Sequence, residues 1–168
     1  MDRLPQTFSP PDLFETGMGV VIIIRHKSGG RIEAGVFLLD VYCLGVKNAF
    51  FNQFHESEFD AFFEKMYDGR LTIENSGAWG RKLVEGAVAY ARNLGFAPHR
   101  DYKLGARVMG GISAKECEDT FTYGSEGKPF FISGPNESDA RIQLILKALE
   151  RKCGPKGSNF LIPMPTGE

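Results

Sequence analysis

Hydrophobic positions along the chain change their period several times, and each period predicts an element. Gly19 to Arg25 reads Gly-Val-Val-Ile-Ile-Ile-Arg. This β-branched, almost unbroken apolar run predicts a strand buried on both faces. Ser28-Gly29-Gly30 supplies residues that tolerate positive φ in a tight turn. The return from Arg31 to Tyr42 places Ile32, Ala34, Val36 and Leu38 on one face and Glu33, Gly35, Phe37 and Leu39 on the other. The two runs should pair as an antiparallel hairpin, and Leu44-Gly45-Val46-Lys47 then reads as a strand-to-helix corner.

The period next becomes helical. Ser57-Glu-Phe-Asp60 resembles a capping box with Asp in place of Glu, and it opens a segment with Phe59, Phe62, Phe63, Met66 and Tyr67 at helical spacing. That stripe is read as core, and Asp68-Gly69 ends it. Asn75-Ser76 can cap a longer helix reaching about Leu94. Its Leu83, Ala87, Ala91 and Leu94 recur on one face, widened by Val84 and Val88, and Gly95 is a natural stop. Pro98 fits the start of a short helix from His99 to about Met109. Thr120 to Ser133 reads as a second hairpin, turning at Gly124 to Gly127, with Pro129 marking an edge strand. Ser138 caps a last helix through about Lys152, with Ile142, Ile145, Leu146 and Leu149 inward and Gly154-Pro155 as terminator.

The expected fold is α+β: two β-hairpins forming a small antiparallel or mixed sheet packed by three to four helices, in the order β-β-α-α-α-β-β-α. The whole chain, 1–168, reads as one domain. A proline-bearing N-terminal arm covers 1–17 and a C-terminal tail covers 155–168.

Composition narrows the class. Hydrophobic residues at 42% and charged residues at 24% are ordinary globular usage and argue against disorder. Fourteen Phe and five Tyr predict a core built on aromatic packing. Cys43, Cys117 and Cys153 are far apart and form no Cys-x-x-Cys pair, which speaks against a disulfide framework or a zinc site and fits a reducing compartment. The first residues lack a signal-peptide core, and no apolar run reaches the roughly 20 residues of a membrane helix. A cytoplasmic protein, without membrane association, is the expectation.

Charge is unevenly spread. Residues 1–69 carry 6 Lys/Arg against 10 Asp/Glu, whereas residues 70–107 carry 7 against 3, so the middle is locally basic. Arg100, Lys103 and Arg107 would share one helix face, with Arg81, Lys82 and Arg92 nearby in sequence. Such a face could contact phosphates, with Tyr123, Phe130 and Phe131 available for stacking on bases. The same charges also serve as an ordinary solvated face.

The candidate seat of any chemistry is Asp40, a lone acid in an apolar strand. A carboxylate there is costly unless paired. One reading is a metal-binding acid of a ribonuclease-H-like core, where a strand hairpin brings an Asp to one or two Mg²⁺ ions. Glu33, Glu85, Glu116, Glu118 and Asp119 are the other acids available, though no spacing joins them. The other reading is a structural anchor paired with Lys47, Arg25 or a helix N-terminus. Cys43 lacks any cysteine-enzyme signature and is read as core. His55-Glu56-Ser57-Glu58 lacks helical ligand spacing, and His99 has no visible partner. There is no Walker loop, and Gly77-Ala-Trp-Gly80 is no dinucleotide fingerprint. No motif calls for a cofactor or a metal site.

Three blocks resemble those of an uncharacterised family of bacterial proteins: Ala34–Phe51 (AGVFLLDVYCLGVKNAFF), Gly86–Tyr102 (GAVAYARNLGFAPHRDY) and Tyr123–Pro135 (YGSEGKPFFISGP). The resemblance implies a bacterial, intracellular single domain. It brings no activity and no site residue.

The functional expectation is a non-catalytic accessory or adaptor protein that binds a protein partner in a larger bacterial assembly. Phe160, Leu161 and Ile162 in the apolar tail are the candidate contact residues, and aromatic richness suits an interface. Two alternatives stand beside it. One is RNA or DNA binding through the basic helices of 81–107. The other is a Mg²⁺-dependent nuclease-like hydrolase centred on Asp40.

Overall fold

A computed structural model describes residues 3–163. A five-stranded antiparallel sheet organises it, in the order β4-β3-β2-β1-β5. The predicted hairpin forms from β2 (Met18–Lys27) and β3 (Arg31–Asp40), turning through Ser28–Gly30 in register Lys27 opposite Arg31. Its face assignment also holds. Ile22, Ile24, Ile32, Ala34 and Val36 pack on one side of the sheet, and Val21, Ile23, Phe37 and Leu39 on the other.

The sheet is larger than the sequence pattern suggests. β4 (Gly45–His55) pairs with β3 where a strand-to-helix corner was expected. A register irregularity between Leu38 and Leu39 and the adjacent Phe50 and Phe51 break the simple alternation that would have revealed it. β1 (Gln6–Ser9) is a four-residue strand inside the supposed arm. It lies between β2 and β5 (Ile73–Ser76), itself an unforeseen edge strand. The prolines of the arm flank β1 rather than interrupt it. Thr7 is fully buried, donates its hydroxyl hydrogen to the Ser76 carbonyl (2.8 Å), and fills the place that a side chain at Gly80 would take. Residues 1–2 of the predicted arm lie outside the described residues.

Helices cover both faces. α1 (Leu13–Thr16) is a single turn linking β1 to β2. α2 (Glu56–Tyr67) lays the whole predicted stripe from Phe59 to Tyr67 on the Ile22–Val36 face. Its entry differs from expectation. His55 precedes the first turn, and its N–H donates to the Glu58 carboxylate (3.4 Å), so Ser57 is not the cap. α3 (Gly77–Asn93) crosses the opposite face. Ser76 Oγ caps it by accepting the Trp79 N–H (3.1 Å), and Leu83, Val84, Ala87 and Val88 point into the sheet. α5 (Asp139–Cys153) is capped by Ser138 and buries Ile142, Ile145 and Leu149 as expected, in a second apolar cluster with Cys43, Leu44, Leu94 and Phe131.

Two other expectations are corrected. The segment 99–109 is not one helix: α4 spans only Tyr102–Gly105, followed by a 3-10 turn at Ala106–Met109. Nor does Thr120–Ser133 form a hairpin. Ser125 and Lys128 make an isolated bridge, but the Gly124 N–H donates to the Val41 carbonyl (2.9 Å) and the Phe130 N–H to the Tyr42 carbonyl (3.1 Å), so the two arms spend their backbone groups elsewhere. β6 (Phe130–Ile132) instead pairs in parallel with β7 (Asn159–Leu161), a strand within the predicted tail. Tail residues 164–168 lie outside the described residues. No helix among the described residues is long and apolar enough to cross a membrane.

Candidate functional site

Asp40 ends β3 and folds the chain into β4. Its side chain is buried, and its oxygens accept three backbone N–H groups: Tyr42 (2.9 Å) and Cys43 (3.1 Å) on Oδ1, Leu44 (3.1 Å) on Oδ2. Burial is the largest influence on this carboxyl and pushes its pKa above the ordinary value; the three N–H donors and the Lys47 charge pull against it. The partner of Asp40 is therefore the turn itself rather than Lys47 or Arg25. Lys47 pairs with Glu137 (3.2 Å). Among the described residues no three or more His, Cys, Asp or Glu side chains come together as a metal site.

The turn is a hub. The Val41 N–H donates to the Gly17 carbonyl (2.9 Å), and the Val41 and Tyr42 carbonyls receive the 124–130 segment. The Tyr42 hydroxyl lies 2.7 Å from the carbonyls of Phe14 and Glu15 and can donate to either. Gly45 takes φ +69° where the chain turns into β4, close against the Ala87 carbonyl and Ala91 of α3. The apolar setting noted in the sequence thus belongs to a corner where α1, α3 and β6 converge.

Cys43 sits inside that corner, fully buried. Burial above all, then the charges of Asp40, Cys153 and Glu137, push its thiol well above the ordinary range, the opposite of what a nucleophile needs. In native protein treated with a thiol-specific reagent, mass spectrometry should find Cys117 modified and Cys43 intact until denaturant is added. A native Cys43 adduct would contradict this packing.

Two of the basic residues of the middle segment, Arg81 and Lys82, are engaged by the protein itself. The Arg81 guanidinium donates to Glu85 Oε1 (2.7 Å) and to the carbonyls of Gly110 (3.2 Å) and Ile112 (2.6 Å), and Lys82 Nζ donates to the Cys117 carbonyl (3.1 Å). Both act as internal struts. Arg107 lies over the Phe51 ring, 5.1 Å from its centre. Arg92, Arg100 and Lys103 are exposed, on α3, the loop after it and α4 respectively. Of the aromatic residues considered for stacking, Phe131 is fully buried, and the Tyr123 hydroxyl donates to the Leu83 carbonyl (2.8 Å).

The tail residues behave differently. Phe160 is 59% exposed, Leu161 54% and Ile162 36%, although Phe160 and Leu161 belong to a paired strand. Successive strand residues face opposite ways, so β7 presents apolar side chains on both faces. Among the described residues its sheet has only β6 as a second member, and no strand pairs with its other edge. The opposite situation holds at β4, the edge of the large sheet. There Asn48 Oδ1 accepts the Ala49 N–H (2.9 Å) and Asn52 Oδ1 accepts the Gln53 N–H (2.8 Å), which occupies donors that another strand would need.

No family model matches the chain, and neither a curated protein nor a solved structure proved similar to it.

Proposed function

We propose that this protein is a non-catalytic adaptor and that β7 is its docking strand, taking up an extended, apolar segment of a partner protein by strand addition. The observation that carries the reading is an open-edged strand with large apolar side chains exposed on both faces. A two-stranded sheet is marginal alone, and parallel pairs ordinarily lie within larger, covered sheets. One further strand would give β7 backbone partners on its free edge and cover Phe160 and Leu161. The other exposed large apolar residues, Leu4, Leu71, Ile73, Leu104 and Leu144, have no adjoining exposed apolar neighbour in the chain, as is ordinary for a surface, whereas Phe160, Leu161 and Ile162 are consecutive.

Charge selects the partner further. Residues 147–156 carry four Lys/Arg against one Glu, and Lys128 Nζ donates to the Lys156 carbonyl (3.0 Å) at the entry to β6 and β7. A partner segment with acidic residues flanking its apolar run suits this end of the strand pair. Replacing Phe160 and Leu161 together by Asp should abolish co-elution of the partner on size exclusion of tagged protein from its native host. Leu144→Asp on α5 should leave co-elution intact. Because all three side chains are exposed, the variants should keep wild-type stability to within about 0.5 kcal/mol. A wild-type chain that elutes alone, or a partner retained by the double variant, overturns the reading.

A further inference from the structure

A cleft opens beside the Asp40 turn, lined in part by Leu44. It measures about 410 Å³, within the size range of small-ligand sites. Its apolar wall comes from Leu44, Val46, Phe96 and Pro98, and its polar groups are Lys47, His99, Glu137 and Arg141. These four come from β4, the loop after α3, the turn before α5 and the first turn of α5, so only the folded chain brings them together.

The charges are arranged for an anion. Glu137 is already engaged on both oxygens: Oε1 with Lys47 Nζ (3.2 Å) and Oε2 with the Gly134 N–H (3.0 Å). It holds Lys47, which is only 17% exposed, at the cleft and leaves the other ammonium hydrogens to donate. Arg141 forms no ion pair among the described residues. Its backbone N–H is tied to Ser138 Oγ (3.2 Å), which fixes the start of its side chain. His99 is held at both ends of its backbone turn: its N–H donates to the Val46 carbonyl (2.9 Å), and its ring Nδ1 accepts the Asp101 N–H (3.1 Å). In the neutral ring the hydrogen is then on Nε2, a donor. Among the groups that line the cleft, Lys47 and Arg141 outweigh Glu137; Asp101, whose Oδ2 lies 3.9 Å from His99 Nδ1, is not part of that lining.

We infer that this cleft binds a small anion, a carboxylate or phosphate head on an apolar stem, with Arg141, Lys47 and His99 donating to the head and Leu44, Val46 and Phe96 covering the stem. Charge-assisted donors of this kind bind either head, and the apolar wall favours a ligand larger than the bare ion.

Amide and imidazole NMR signals of the full chain, titrated separately with inorganic phosphate and with hexanoate, test this. At least one anion should shift residues 96–99 and 137–141 in a saturable way. Saturation by phosphate alone identifies a phosphoryl head, and saturation by hexanoate alone a carboxylate. Arg141→Gln, an exposed change, should weaken binding by about tenfold, whereas Lys147→Gln, the same charge change further along α5, should alter it less than about twofold. Lys47→Met should weaken it as much as Arg141→Gln. The inference fails if neither anion saturates the cleft, or if Lys147→Gln weakens binding as strongly as Arg141→Gln.

Discussion

Asp40→Ala should be among the most damaging single side-chain deletions in the chain, costing about 4 kcal/mol of folding stability. The change strips the acceptor from three N–H groups, those of Tyr42, Cys43 and Leu44, in a turn that is buried throughout. Each buried donor left unsatisfied costs about 1–3 kcal/mol, and partial entry of water keeps the total below the plain sum. That is a large share of the roughly 5–15 kcal/mol that holds a domain together. Asp40→Asn separates hydrogen bonding from volume. Its oxygen can still serve Tyr42 and Cys43, but its amide hydrogens confront the Leu44 N–H, so about 2 kcal/mol should be lost. Urea denaturation reads both values. An alanine variant within about 1 kcal/mol of wild type would show that the turn does not need its carboxylate.

Gly35→Val should have the next largest effect, about 3 kcal/mol or more, with disordering of 102–109. Gly35 lies mid-strand in β3, and a Cβ there would collide with the Gly105 carbonyl and Val108. Gly105 in turn sits 3.0 Å, measured from its own absent Cβ, from the Phe37 ring. Two glycines thus let α4 and the 3-10 turn rest directly on the sheet. Valine has the right β-propensity, so the loss would come from overpacking alone. Chemical denaturation combined with hydrogen exchange of the 102–109 amides checks it. A stable variant with unchanged exchange would mean that this contact is loose.

Legibility in the sequence followed element length and period. The β2–β3 hairpin and α2, α3 and α5 announce themselves because each repeats its period long enough to define a face, and their buried residues match that face. β1 and β5 are four residues each, too short for alternation to stand out. β4 is hidden by its irregular register. β6 and β7 bring together residues almost 30 positions apart, a pairing that no local pattern encodes. The same distinction governs the sites. Asp40 stands out in the sequence because it is isolated, and its role is local, reaching only two to four residues ahead. The cleft is the reverse. The sequence offers Lys47 as a partner for Asp40 and gives His99 no partner, and only tertiary folding sets both in one cleft with Glu137 and Arg141. The Glu137-Ser138 pair, an acid just before a helix cap, was the one local hint of a constrained carboxylate there.

The role of β7 as a strand that receives another is open to direct measurement. A photo-crosslinking residue placed at position 160, and separately at the equally exposed position 144, measures this directly in the native host. Adducts should form at 160 with a discrete segment of one partner and be absent at 144. A synthetic peptide of that segment should bind the wild-type chain and not the Phe160→Asp, Leu161→Asp variant. Adducts that are equal at both positions, that join two copies of this chain, or whose peptide binds the variant as well as the wild type would contradict it.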